Sequence, residues 1–212
     1  MLNRIINEVK DGIIAAMKGT DDIITALRTA VKNQTTRVVK GVGDIGIAAE
    51  DAIAGVAEGA VKGASTIVAS TTEAVKNTVC AAIEGASETG MDILTAVRNV
   101  TCGAVSGAAQ VGGDIALTSV AAVEGAVEAA GKFGVNTSKA VSSAVMGVIH
   151  TVDNIGSEAG STVRKALLNA TSLPRDVVEK AMGGVLRNNR SLSLPANKKS
   201  RKVKIFRRAT SR

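Results

Sequence analysis

The chain reads as all-α, and three features of its sequence say so. An apolar stripe keeps one phase from residue 13 to residue 167, taking about 42 steps in 154 residues, or roughly 3.67 residues per step. That is a helix period, three turns in eleven residues, and no strand has it. The 212 residues hold only 2 Pro, so little interrupts a helical backbone. The apolar fraction of 45% is built mainly from Ala and Val, with two Phe and no Tyr or Trp. Such side chains line thin helix contacts but fill a wide core poorly. The expected fold is therefore long Gly/Ala/Val-rich amphipathic helices carrying an eleven-residue repeat. They would form an elongated or up-and-down array that ends in a disordered basic tail.

Residues 1–19 form the first element, an amphipathic helix. Ile5, Ile6, Val9, Ile13, Ile14 and Met17 share one face, with Asn3, Arg4, Asn7, Lys10, Asp11 and Lys18 making much of the other. Gly19-Thr20 reads as a break, with Thr20 or Asp21 as the next cap. Residues 20–170 form the long repetitive region. Its stripe runs through Ile24, Leu27, Val31, Ile53, Val56, Ile93, Val97, Val123, Val127, Val145 and Ile149. Two segments recur at an offset of 70: residues 22–31 match 92–101, and 42–60 match 112–130. Asp-Ile pairs begin at Asp22, Asp44, Asp92 and Asp114. Breaks are expected near 41–43, 112–113 and 131–138, where Asn136, Thr137 or Ser138 can cap a new helix. A last short helix is expected over 171–190, with Pro174 setting its first turn. Residues 191–212 read as the disordered basic tail.

Glycine is the difficulty. Of 22 Gly, 18 lie between residues 41 and 160. At about 1 kcal/mol each, they weaken an isolated helix by on the order of 15 kcal/mol. A membrane or another helix has to supply the missing stabilisation. Gly55, Gly59 and Gly63, the pair Gly103 and Gly107, and the pair Gly156 and Gly160 are spaced by four. That spacing permits close backbone approach between helices.

Charge is uneven. Residues 41–163 carry five basic and thirteen acidic groups, whereas 164–212 carry fourteen and two. Lys198, Lys199, Arg201, Lys202, Lys204, Arg207 and Arg208 make the tail a phosphate-binding candidate, for lipid headgroups or nucleic acid. Catalytic signals are poor. His150 is the one histidine, and Cys80 and Cys102 lie two repeats apart, so no zinc site or disulfide framework is expected. Glu84, Glu88 and Asp92 share a helical face but lack the Glu-x-x-His partner of a carboxylate metal bundle. No cofactor, no signal peptide and no membrane span is expected.

In period and composition, residues 13–167 resemble the eleven-residue-repeat helices of synucleins and perilipins, and in character those of phasins. VVKGVG at 38–43 and AVKGAS at 60–65 approach the synuclein core without its Lys-Thr-Lys-Glu-Gly sequence. The resemblance implies a non-enzymatic coat or scaffold on a lipid or membrane surface, cytoplasmic and peripheral to a membrane or lipid body. On this expectation the stripe, from Ile5 to Ile149, is the binding surface. Two alternatives stand beside it. One is a self-assembling homo-oligomeric filament; the other is a nucleoid or chromatin protein that binds through the tail.

Overall fold

The computed structural model describes residues 2–17, 23–45, 48–66 and 71–192. They form α1 (Leu2–Met17), α2 (Ile23–Ile45), α3 (Ala49–Ala64), α4 (Thr71–Ser87), α5 (Ile93–Gln110), α6 (Ile115–Lys132), α7 (Thr137–Ile155), α8 (Ser157–Asn169) and α9 (Arg175–Leu192). The all-α expectation holds, but the long helix does not. An 18-residue helix such as α5 is about 27 Å long, against roughly 230 Å for an unbroken rod over residues 13–167.

What cuts the stripe into helices is a turn that returns every 22 residues. Gly90, Gly112 and Gly134 have φ of +82°, +71° and +70°, a region costly for any residue with a Cβ. Gly156 continues the spacing at φ +155°. Two residues after Gly90, Gly112 and Gly134 a polar side chain caps the next helix, whereas α8 has no side-chain cap. Asp92 accepts from the Thr95 amide (2.8 Å), Asp114 from Ala116 and Leu117 (2.9 and 3.0 Å), and Asn136 from Lys139 (3.2 Å). At the closing ends, the Gly113 amide donates to Ala108 O and the Val135 amide to Ala130 O, the long bond of a Schellman turn. Of the expected breaks, 112–113 and 131–138 contain such turns, whereas α2 runs through 41–43.

Among the described residues, each helix packs only on its chain neighbour and on the helix after that. Odd-numbered helices therefore form one layer and even-numbered helices a second. Within a layer the partners keep a near-constant sequence offset. Gly103 meets Ala54, Gly107 meets Glu58, Gly125 meets Lys76 and Gly147 meets Arg98, each 49 residues on. A constant offset means that helices of one layer run parallel and in register, and the short turns make the two layers run opposite ways.

The glycines set this spacing. A Cβ on Gly103 would lie 1.9 Å from Ala54 O, and on Gly107, Gly125 and Gly147 within 2.6 Å of the opposing carbonyl oxygen. Gly59, Gly63 and Gly85 meet the Ile6, Lys10 and Lys32 carbonyls in the same way. Backbone touches backbone, which multiplies dispersion contacts and Cα–H···O contacts along each seam. The stabilisation that an isolated glycine-rich helix lacks thus comes from the chain's own helices. Gly156 and Gly160 do not act in this way. Gly156 sits in a turn, and Gly160 faces the side chains of Arg164 and Asp153.

Between the layers lies a core of Ala and Val with a few Ile and Leu. Ile13, Leu27, Ile53, Ile83, Ile149 and Leu167 are its largest fully buried side chains. Thr35, Thr101 and Ser119 are buried there and return their hydroxyls to backbone carbonyls one turn back, Val31, Val97 and Ile115. Thr78 is fully buried, and its hydroxyl has no partner among the described residues. Replacing Thr78 with Val keeps its shape and removes an unpaired polar atom. Thr78→Val is expected to raise stability by roughly 1 kcal/mol, read as a later urea midpoint with an unchanged slope.

This packed bundle corrects the elongated eleven-residue-repeat array. It likewise corrects the resemblance to synucleins, perilipins and phasins, whose stripe faces a lipid surface. Here the stripe is the core.

Candidate partner-binding surface

Most of the stripe residues named as a binding face are buried inside the bundle, and Ile6, Val9 and Ile13 pack against glycines of α3. Ile5, Ile6, Val9, Ile13, Leu27, Val31, Ile53, Val56, Val97, Val123, Val145 and Ile149 are buried. Ile24, Ile93 and Val127 are partly buried. The Met17 side chain and the tail cations Lys198, Lys199, Arg201, Lys202, Lys204, Arg207 and Arg208 lie outside the described residues. A face consumed by internal packing cannot also coat a lipid. The lipid-coat function, the membrane partner and the place at a membrane or lipid body lose their basis together. No helix among the described residues is long and apolar enough to cross a membrane. The filament alternative and the homo-oligomer fail for a related reason, since the missing stabilisation they were to supply is supplied within the chain. The stack also ends on polar faces. Arg4, Asn7, Glu8 and Asp11 are exposed on α1, and Arg175, Asp176, Glu179 and Lys180 on α9. The nucleic-acid alternative rested on residues outside those described, and nothing in the bundle adds to it.

The outer side of the even layer carries a ladder of ion pairs across α2, α4 and α6. Arg28 donates to Glu84 (2.9 Å), and Lys132 donates to the same oxygen (2.8 Å). Glu128 joins Lys132 (3.6 Å) to Lys76 (3.4 Å), and Lys32 pairs with Glu88 (2.6 Å). The Cys80 sulfur sits inside this ladder, accepting from Lys132 (3.3 Å) and donating to Glu84 (3.4 Å). Burial pushes the Cys80 thiol up and Glu84 adds to that, against the pull of Lys132 and Arg28, so the thiol stays protonated. Burial alone would raise the Glu84 carboxyl, but hydrogen bonds from Lys132 and Cys80, with the Lys132 and Arg28 charges, hold it below its ordinary value. A depressed carboxylate contributes stability above its unfolded pKa, and that contribution is lost as pH falls through the folded pKa.

The ladder therefore serves as packing chemistry. Glu84 and Glu88 are occupied by cations, and Asp92 caps α5. His150 is exposed on α7. Cys102 lies on α5, in the other layer from Cys80 on α4, and its sulfur donates to Gly147 O at 3.2 Å. Both cysteines are free. Among the described residues no group of three His, Cys, Asp or Glu is placed to hold a metal.

A different surface stands out at the end of the bundle where α5 and α7 close and α6 and α8 open. An open cleft of about 620 Å³ lies there between the α5–α6 and α7–α8 turns. Ile115, Ala116, Ile155, Ala159 and Val163 give it an apolar floor, and Asp114 and Glu158 stand on its rim. Ile155 is 43% exposed there, and Val111 (41%) and Leu117 (58%), near the lining residues Gly113 and Ala116 along the chain, are exposed outside the cleft itself. These are three of the five large apolar side chains exposed among the described residues, and the other two are Leu2 and Phe133. A second groove, about 610 Å³, runs between α5, α7 and α9 over Leu94, Met146 and Val177, but serine and lysine side chains edge it.

The sequence carried a signal for the cleft that the stripe obscured. Val111, Phe133 and Ile155 are 22 residues apart, and each stands directly before a turn glycine. An apolar residue at the point where a helix closes has left the buried face. Compared with known proteins, the chain matches no family model, and no curated protein is significantly similar to it.

Proposed function

We propose that this protein is a non-enzymatic interaction module, a glycine-seamed two-layer helical stack that presents the α6–α8 cleft to an apolar segment of a protein partner. One observation carries the reading: Ile155, 43% exposed, lines a concavity whose other apolar residues are Ile115, Ala116, Ala159 and Val163. Clustered exposed apolar groups around a concavity mark binding surfaces, whereas scattered ones do not. The parallel seams make the support stiff, so α6 and α8 hold the cleft walls at a fixed separation.

Ile155 is the test residue, because it lines the cleft and is 43% exposed in the free protein. Ile155→Lys is expected to lower the thermal midpoint by no more than about 2–4 °C, the effect of roughly 1 kcal/mol. It should weaken capture of a cleft partner about tenfold or more, the worth of a buried Ile side chain. The measurement is quantitative affinity capture with the wild-type chain, Ile155→Lys and the exposed control Thr72→Lys. Partners held by the wild type and the control but lost by Ile155→Lys support the reading. A capture profile identical for all three chains ends it.

A further inference from the structure

The cleft has a candidate occupant within the chain. α7 and α9 lie side by side in the odd layer, and one groove joins Ser138 and Ser142 on α7 to Asp176 and Lys180 on α9. α9 follows α7 by two turns within the same layer and so runs parallel to it, and the groove is lined by early turns of both helices. Helices of 19 and 18 residues that run the same way from neighbouring starts finish at the same end of the bundle, where Ile155 lines the cleft. The next residues therefore leave the bundle beside the cleft. From residue 192 to residue 206 an extended chain reaches up to roughly 45 Å. The cleft lies about one or two helix diameters away, on the order of 10–20 Å.

Chemistry points the same way. Residues 193–212 carry eight basic groups and no acidic one. Within them Val203, Ile205 and Phe206 are set among Lys202, Lys204, Arg207 and Arg208. The cleft offers an apolar floor with carboxylates at Asp114 and Glu158, and no Lys or Arg lines it. The two helix N-termini facing it each contribute about half a positive charge, and the two carboxylates outweigh them by roughly one net negative charge.

We infer that residues 203–208 of the same chain dock in the α6–α8 cleft, with Val203, Ile205 and Phe206 on its floor and the flanking bases toward Asp114 and Glu158. This rests on the reading of the cleft as a docking site and adds its regulation. A partner segment has to displace the chain's own, so the cleft's apparent affinity falls by the fraction of time it is filled.

The test uses the full chain, purified and alone, with photoreactive benzoylphenylalanine in place of Phe206. After illumination and digestion, cross-links are expected at residues 111–117 and 155–163, within a single chain. Their yield should fall several-fold in Glu158→Lys and on raising salt from about 0.05 to 0.5 M, because the pairing charges are exposed. Glu50→Lys, an exposed carboxylate change in the first turn of α3, at the opposite end, should leave the yield unaltered. Cross-links that land elsewhere, or a yield indifferent to Glu158→Lys, overturn the inference. Cross-links found between light and heavy isotope-labelled copies also overturn it, in favour of a second copy as the occupant. Failure here combined with selective partner loss in Ile155→Lys would leave the cleft reading standing without its internal competitor. Failure of both would remove the docking site itself.

Discussion

Gly103→Ala should destabilise the protein by about 2–4 kcal/mol, although on helix propensity alone it should stabilise it by about 1. The new methyl carbon would stand 1.9 Å from Ala54 O, 2.7 Å from Ala54 C and 2.9 Å from Ala54 Cα. None of those atoms is the movable end of a side chain. Relief requires α3 and α5 to separate, which opens the seam that also contains the Gly107–Glu58 contact. Gly131 provides the comparison, because it lies near the end of α6 with nothing within 4 Å of a Cβ. Gly131→Ala should raise stability by roughly 0.5–1 kcal/mol. Urea unfolding of the two variants beside wild type measures both. Shifts of the same sign would show that propensity, and not close approach, explains the glycines.

Ile13→Glu should cost at least about 4 kcal/mol at neutral pH, because it places an unpaired carboxylate where Ile13 is fully buried against α3. Burial favours the protonated acid, so the folded pKa of the new group lies above its unfolded value of about 4.3. The sign then follows. The penalty is smallest below the unfolded pKa and grows as pH rises through the folded one. Unfolding followed by circular dichroism near pH 4 and pH 7 should show the larger loss at pH 7. A substitution on an exposed attachment face would instead leave stability nearly unchanged at both. That contrast separates an α1 that closes the bundle from an α1 that seeds contact with an outside surface.

Two of the turns are legible in the sequence. Gly112-Gly113 is an expected break and Asn136 a cap candidate, but the Asp-Ile pairs at Asp92 and Asp114 read as a repeat and not as caps. The spacing of Gly103 and Gly107 also signalled close packing. What misled was the phase of the stripe. A helix-and-turn unit of 22 residues equals six turns at about 3.67 residues each, so the stripe keeps its phase across every turn. Periodicity alone cannot tell a continuous helix from one that restarts at Asp92, Asp114 and Asn136. The cleft was harder to foresee, because Val111 and Ile155 differ from buried valines and isoleucines only by standing next to a turn glycine.

By itself the sequence determined that the chain is helical, where several helices begin, and that glycine-bearing ridges allow close contact. Those are properties of single residues and of near neighbours along the chain. Only the tertiary structure decided what covers the apolar stripe and which side chains are left outside. Covering a stripe is a pairwise matter between segments about 49 residues apart, set by whether one backbone can rest against another. A hydrophobic face has the same sequence whether lipid or a neighbouring helix lies on it, so its partner became legible only once Gly103 was seen against Ala54.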